Sequence, residues 1–190
     1  MVRNYQPDPV APEVLERIVA AGRKAPSAGF SQGVAFVVVT EAAIRQSIAE
    51  LGDETAYLAA GFDPWISRAP AHIVICVSEA AYHDRYREPD KLDEQGKEIE
   101  WPIPYWWIDA GAAMMLVLLA AVDEGLAAGF LGTHAVPGLR DLLDMPAQFT
   151  PIGIVTVGYA APDRTSGSLR RGWRPKSEVI HWQRWGAGPT

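Results

Sequence analysis

The chain has 190 residues, 48% of them hydrophobic and 21% charged, a balance that excludes a disordered tail or a coiled coil and suits a single domain with its own core. One cysteine, Cys76, excludes a disulfide framework and any cysteine-built zinc or iron–sulfur cage. The net charge of −6 argues against nucleic acid as the main partner.

The first residues, Met1-Val2-Arg3-Asn4-Tyr5, carry no apolar run and do not read as a secretory signal. Val14, Leu15, Ile18, Val19 and Gly22 then mark one face at helical spacing, with Pro12 suited to the first helical position. Residues 26–33 form a loop by composition, and 35–39 read as a strand. Thr40 is expected to cap a second helix carrying Ile44, Ile48 and Leu51, and 52–68 to be irregular. The run 73–77, apolar on both faces, predicts a central strand.

Residues 79–104 differ in texture. Twelve of these 26 are charged, aromatic residues are interleaved, and no apolar periodicity emerges, which predicts a surface excursion or lid. A helix apolar all round is expected from Trp106 to about Asp123, ended by Gly125. Its longest uncharged apolar run, 110–122, falls short of the roughly 20 residues of a membrane span. It therefore reads as a buried helix, and the cytoplasm follows by elimination. A strand at 127–131, a turn at Gly132-Thr133, a short helix opened by Pro137 and a strand at 152–157 complete the body. Residues 161–190 are a loop-like arm with a last strand expected at 179–182. Strands separated by helices predict an α/β or α+β sheet. One chain has little with which to cover a helix that is apolar on every side, which points to a homodimer.

Charge is unevenly spread. The arm carries six basic residues against two acidic, while the other 160 residues carry 11 against 21. A basic arm on an acidic body is a surface arm, a docking arm or an anion site. No G-x-G-x-x-G, Walker motif or H-E-x-x-H occurs. The four histidines are dispersed and no metal site is expected. His83-Asp84 reads as a solvated pair, and Cys76 as a small core residue. Two features remain. The loop from Ala25 to Gln32 offers small residues with Ser27 and Gln32 as donors and acceptors for a ring edge, although a plain helix-to-strand connection fits its composition slightly better. The cluster Arg171, Arg174, Lys176 could grip a phosphate or rim the surface.

Taken in order, these pieces resemble the FMN-dependent nitroreductase superfamily. The matching segments are 2–5, 25–32, Asp109-Ala110-Gly111-Ala112-Ala113, Glu124-Gly125-Leu126, Phe130-Leu131-Gly132, 151–159 and 171–176. The resemblance implies an α+β fold, a three-layer α/β/α sandwich on a mostly antiparallel sheet. It also implies an obligate homodimer with a long buried central helix and two FMN molecules at the interface. Pro26, Ser27, Ala28 and Gln32 then match the loop that meets the flavin from one subunit. Leu131, Gly132 and Thr133 match the turn that approaches flavin N5, and Arg3 the position near its N1/O2 edge. Arg171 and Arg174 match phosphate-gripping residues, with Lys176 the weaker candidate. Tyr82, Tyr86, Trp101 and Tyr105 would wall the substrate side, although ordinary packing accounts equally well for Trp106 and Trp107.

The implied activity is a ping-pong oxidoreductase taking hydride from NAD(P)H to an electron-poor small molecule such as a nitroaromatic or quinone. Flavin-fragmenting and reductive-dehalogenating branches of the superfamily, a deazaflavin donor, a flavin binder without turnover and an anion-binding domain without flavin stay open. The sequence departs from the family pattern at Phe30, where Asn is usual, and at Gly33-Val34, where Pro-Trp is common. Met1 stands in the Ser place of the family's Arg-Arg-Ser-x-Arg run, which leaves the phosphate to the arm or to residues upstream.

Overall fold

Seven successive residues of β2 (Ala71–Val77) are buried, as an unbroken apolar run requires of a strand covered on both faces. In the computed structural model, which describes residues 1–164 and 166–189, β2 pairs with β1 (Val34–Val39) and with β4 (Thr150–Gly158). β3 (Ala127–Gly132) lies outside β4, so the sheet runs β1-β2-β4-β3 with every pair antiparallel.

The two-residue period of β2 sends Ile73 and Ile75 to one face and Val74 and Cys76 to the other. The first face packs on α1 (Pro12–Gly22) and α6 (Tyr105–Asp123) through Leu15, Ile18, Val117 and Ala121. The second packs on α2 (Ala42–Leu51), α3 (Glu54–Ala59), α4 (Trp65–Arg68) and α7 (Leu139–Leu142) through Ile48, Tyr57, Trp65 and Leu139. The result is the expected three-layer α+β sandwich.

α6 is long and apolar enough to cross a membrane by composition, but it lies on the sheet and on α1. Burial on every side is not achieved within one chain. Trp106, Ala110, Ala113, Val117 and Ala121 are buried, whereas Trp107, Ile108, Met115, Leu119 and Val122 are 44–64% exposed. Gly125, at φ +74°, reverses the chain after the helix.

Several local expectations are corrected. Thr40 does not cap α2; Glu41 holds that position and the Thr40 carbonyl accepts from Arg45 Nε at 3.2 Å. Residues 52–68 are not irregular but contain α3 and α4. The four-residue α4 is held from outside: Glu54 accepts from the Ile66 amide at 2.6 Å, and Arg45 donates to the Ser67 and Ala69 carbonyls at 2.8 and 2.7 Å. The excursion at 79–104 begins as a helix, α5 (Glu79–Tyr86), whose N-cap Ser78 accepts from the Ala81 amide. Tyr82 is the only buried residue of α5, which is why no apolar period appeared. The short helix begins at Leu139 behind the left-handed Gly138, not at Pro137. Residues 179–182 form no strand; they are largely exposed and meet no sheet edge among the described residues.

The N-terminal segment runs beside β3 and the end of β4. The Val2 amide donates to the Ala128 carbonyl at 3.0 Å, and Tyr5 bridges Ala160 with its hydroxyl 2.7 Å from Thr156 Oγ1. A Cβ at Gly129 would lie 2.6 Å from the Val2 carbonyl, so this approach requires glycine. It carries Arg3 to the β3 side of the molecule.

Candidate functional site

The loop between α1 and β1 is wound tightly. Gly29, Phe30 and Gln32 have φ of +59°, +60° and +50°, the left-handed region that side-chain-bearing residues rarely adopt. At Phe30 and Gln32, which unlike Gly29 carry a Cβ, such conformations cost about 1–3 kcal/mol each and persist where the surroundings over-determine them. Phe30 is 73% exposed, so its own burial does not hold it there. Internal bonds contribute: the Phe30 amide donates to the Ser27 carbonyl at 2.9 Å, and the Gln32 amide to Ser27 Oγ at 3.1 Å.

Three remote side chains complete the frame. Asp109 accepts the Ala28 amide at 2.8 Å, Arg85 Nε donates to the Gly29 carbonyl at 2.9 Å, and the Tyr86 ring packs on Gly29, where a Cβ would come within 2.6 Å of it. Beside the loop lies a cleft of about 490 Å³ lined by Gly22–Ser27, Phe30, Gln32 and Val34. Pro26, Ser27 and Gln32 thus face one cleft, and the Ala28 amide is pinned beneath it.

The other expected cofactor residues gather elsewhere. Arg3 lines a second hollow, about 530 Å³, with Met1, Arg164, Leu169 and Trp173. Its guanidinium lies 5.9 Å from the Trp65 ring centroid, and its buried Nε has no hydrogen-bond partner among the described residues. Leu131 is buried at the end of β3, Gly132 pairs with Gly153, and Thr133 opens a 3-10 turn (Thr133–Ala135). Arg171 and Arg174 are exposed; Arg174 pairs with Glu178 at 3.2 Å, while Arg171 makes no ion pair among the described residues.

The two groups share no lining residue and rest on different helical layers. Gly22 packs toward Phe36 and Val117, Arg3 toward Trp65. β1 and β3 are opposite edges of the sheet, three strand spacings or about 14 Å apart.

The expected substrate wall is an aromatic cluster. Trp101 stacks edge-on to Tyr86 at 4.6 Å and contacts Tyr82, Tyr105 and Trp106. Tyr105 is exposed and Tyr86 and Trp101 are half-buried, but Tyr82 is fully buried with its hydroxyl donating to Asp109 at 2.8 Å. Burial and the neighbouring carboxylate push the Tyr82 phenol well above its ordinary pKa, so it stays protonated.

His83 is not paired with Asp84. Adjacent helical residues do not face each other, whereas His83 meets Glu98 and, one turn back, Glu79. Cys76 is buried mid-strand and its thiol is pushed up to about 12 by burial, an inert core group. No cluster of three or more potential metal ligands occurs among the described residues.

Asp109 and Arg85 were not singled out as site residues from the sequence. The available signal for Asp109 was one acid inside an otherwise apolar segment, 105–122. Nothing local marked Arg85, which lies 56 positions from its partner Gly29.

Residues 1–159 match the profile described as Nitroreductase family. The chain is 30% identical over 188 residues to the FMN reductase (NAD(P)H) of Bacillus subtilis strain 168, a match covering 95% of this chain and 68% of that one. It is 23% identical over 190 residues to the NADPH-dependent oxidoreductase of Staphylococcus aureus strain USA300, covering 98% and 70%. Its fold is similar to that of the NADPH:FMN oxidoreductase from Vibrio harveyi complexed with NAD+, with a TM-score of 0.68 at 20% identity, covering 96% and 73%. It is similar also to the hypothetical oxidoreductase YcnD from Bacillus subtilis, with a TM-score of 0.72 at 25% identity, covering 97% and 70%.

Proposed function

The chain belongs to the nitroreductase family, and on that premise we infer that it is an FMN-dependent NAD(P)H oxidoreductase reducing an electron-poor small molecule, such as a nitroaromatic or quinone, as a homodimer. The observation that carries this reading is the strained loop at the cleft. Ser27 and Gln32 are offered on a backbone that three remote side chains hold in place, which is what recognition of a flat polar ring edge requires.

The donor set fits FMN. Ser27 and Gln32 supply neutral polar groups, while Arg3 and Arg171 supply cations that make no ion pair among the described residues. When bound, FMN supplies two-electron chemistry, accepting hydride from the nicotinamide and returning it to the second substrate. Pro26, Ser27, Ala28 and Gln32 would hold it from one copy. Arg3, the 131–133 turn, Arg171 and Arg174 would hold it from the other, since these groups stand on opposite sheet edges within one chain.

The positive charge of Arg3 favours a ring that becomes more negative on reduction. Tyr86, Trp101 and Tyr105, with Tyr82 behind them, would exclude water from the acceptor's place. No residue is asked to move a proton at a fixed atom. Such a cycle suits a compartment rich in NAD(P)H, in keeping with the expected cytoplasm.

Anaerobic mixing of the purified yellow protein with NADH or NADPH tests this reading. The flavin band should bleach and should return on adding a quinone or nitroaromatic. Colourless protein that takes up no FMN, or a band that neither donor bleaches, would contradict it.

A further inference from the structure

Three stretches of chain that are distant in sequence meet at one oxygen atom. Asp109 Oδ2, on α6, accepts the Ala28 amide of the loop at 2.8 Å and the Tyr82 hydroxyl of α5 at 2.8 Å. The carboxylate is only 7% exposed, and no cation pairs with it among the described residues. A buried carboxylate served by neutral donors alone is costly to keep, and a merely structural link between two helices would be made as well by apolar contact. What this carboxylate touches is Ala28, the residue immediately before the left-handed Gly29.

We propose that Asp109 is a positioning residue: steadied by Tyr82, it anchors the Ala28 amide and so holds Gly29, Phe30 and Gln32 in the strained backbone that presents Ser27 and Gln32 to the cleft. The proposal rests on the reading above that this loop meets FMN. Its logic is mechanical. Phe30 is exposed and Gln32 makes no side-chain hydrogen bond among the described residues, so neither gains from its own conformation. The chain between Ser27 and Gly33 can keep that shape only while its ends are fixed. The far end is fixed by β1, where the Ser78 amide donates to the Gly33 carbonyl at 2.8 Å. The near end is fixed by Asp109. The Arg85 bond to Gly29 is also partly buried, but its guanidinium is shared with the exposed Glu88 and Asp90, whereas the Asp109 carboxylate, 7% exposed, serves Ala28 and the buried Tyr82.

The experiment compares wild type with Asp109→Ala, Asp109→Asn and Tyr82→Phe in two ways. Hydrogen exchange is read per amide in the protein stripped of flavin, and FMN affinity is read from the visible spectrum during titration. In Asp109→Ala, exchange of amides 28–32 should rise by about tenfold or more while β2 and β4 stay within roughly twofold. FMN affinity should fall by about tenfold or more. Asp109→Asn keeps an acceptor oxygen and should recover most of both, and Tyr82→Phe should lie between. Loop exchange and affinity that stay within roughly twofold of wild type in Asp109→Ala would overturn the proposal. So would equal acceleration of loop and sheet, which marks a purely structural role. If Asp109→Ala does not fold, Asp109→Asn and Tyr82→Phe carry the same comparison. If wild type takes up no FMN, the flavin reading falls while the exchange comparison still decides the anchor.

Discussion

His72 is a fully buried imidazole in β2 whose Nε2–H donates to the Ile66 carbonyl at 2.7 Å, while Nδ1 has no partner among the described residues. Burial, aided by nearby Arg45, holds it at about 4 against an ordinary 6.5, although the Ile66 bond acts the other way. A depressed folded-state value on a base means that the unfolded chain takes up the proton first. The stability it contributes is therefore complete above pH 6.5, is lost as pH falls toward 4, and amounts to about 3 kcal/mol over that window. Urea unfolding should show this loss in wild type and a flatter pH dependence in His72→Gln. Equal slopes would remove His72 from the acid sensitivity.

Residue positions were unevenly legible. That Ser27 and Gln32 share one cleft was readable because they stand in a local run of small and polar residues. Asp109, Arg85 and Glu54 were not, because each does its work on a backbone group 12 to 81 positions away.

Among the elements, β2, α1 and α6 declared themselves through apolar period and length, and their observed bounds differ from the expected ones by one or two residues. α3, α4 and α5 did not. They are short, and side chains from other segments cap or cover them, so local composition carried little signal. α5 also anchors the following loop. His83 lies between Glu98, from that loop, and Glu79, from its own helix, and Glu98 further accepts from Arg87 at 3.0 Å and from Trp101 at 2.8 Å.

Bonding to Glu98 raises the His83 pKa above 6.5, outweighing desolvation. For Glu98, burial acts upward, but bonds from Trp101 and His83 outweigh it and hold the carboxyl low. The His83 contribution is complete below pH 6.5 and is lost as pH rises through its raised value. Protease nicking of residues 87–100 should therefore be several-fold faster at about pH 9 than at about pH 6. Glu98→Gln should abolish most of that difference. No pH dependence in wild type would show that Arg87 and Trp101 suffice to hold the loop.

At the scale of the whole molecule, one chain leaves too much apolar surface uncovered. The outer face of α6 is the part the sequence marked for a second copy, and the arm aromatics Trp173 and Trp185 are also exposed, at 94% and 88%. Leu119→Arg on that face should raise the dimer dissociation constant by about thirtyfold or more, read by sedimentation, and FMN content should fall with it. The fold was legible from strand and helix periods. The way a single chain separates the two sets of residues proposed to hold the cofactor was not, because it depends on sheet order, which no local pattern encodes.

That separation is the central claim, and a mixed dimer tests it. One copy carries Ser27→Ala with Gln32→Ala, the other Arg3→Ala with Arg171→Ala, each with its own tag so that only the heterodimer is purified. If each site draws on both copies, one of the two sites is intact, and the heterodimer should hold about one FMN per two chains against about two in wild type. A heterodimer as empty as its parent variants would contradict the account, for it would mean that each chain holds its cofactor alone.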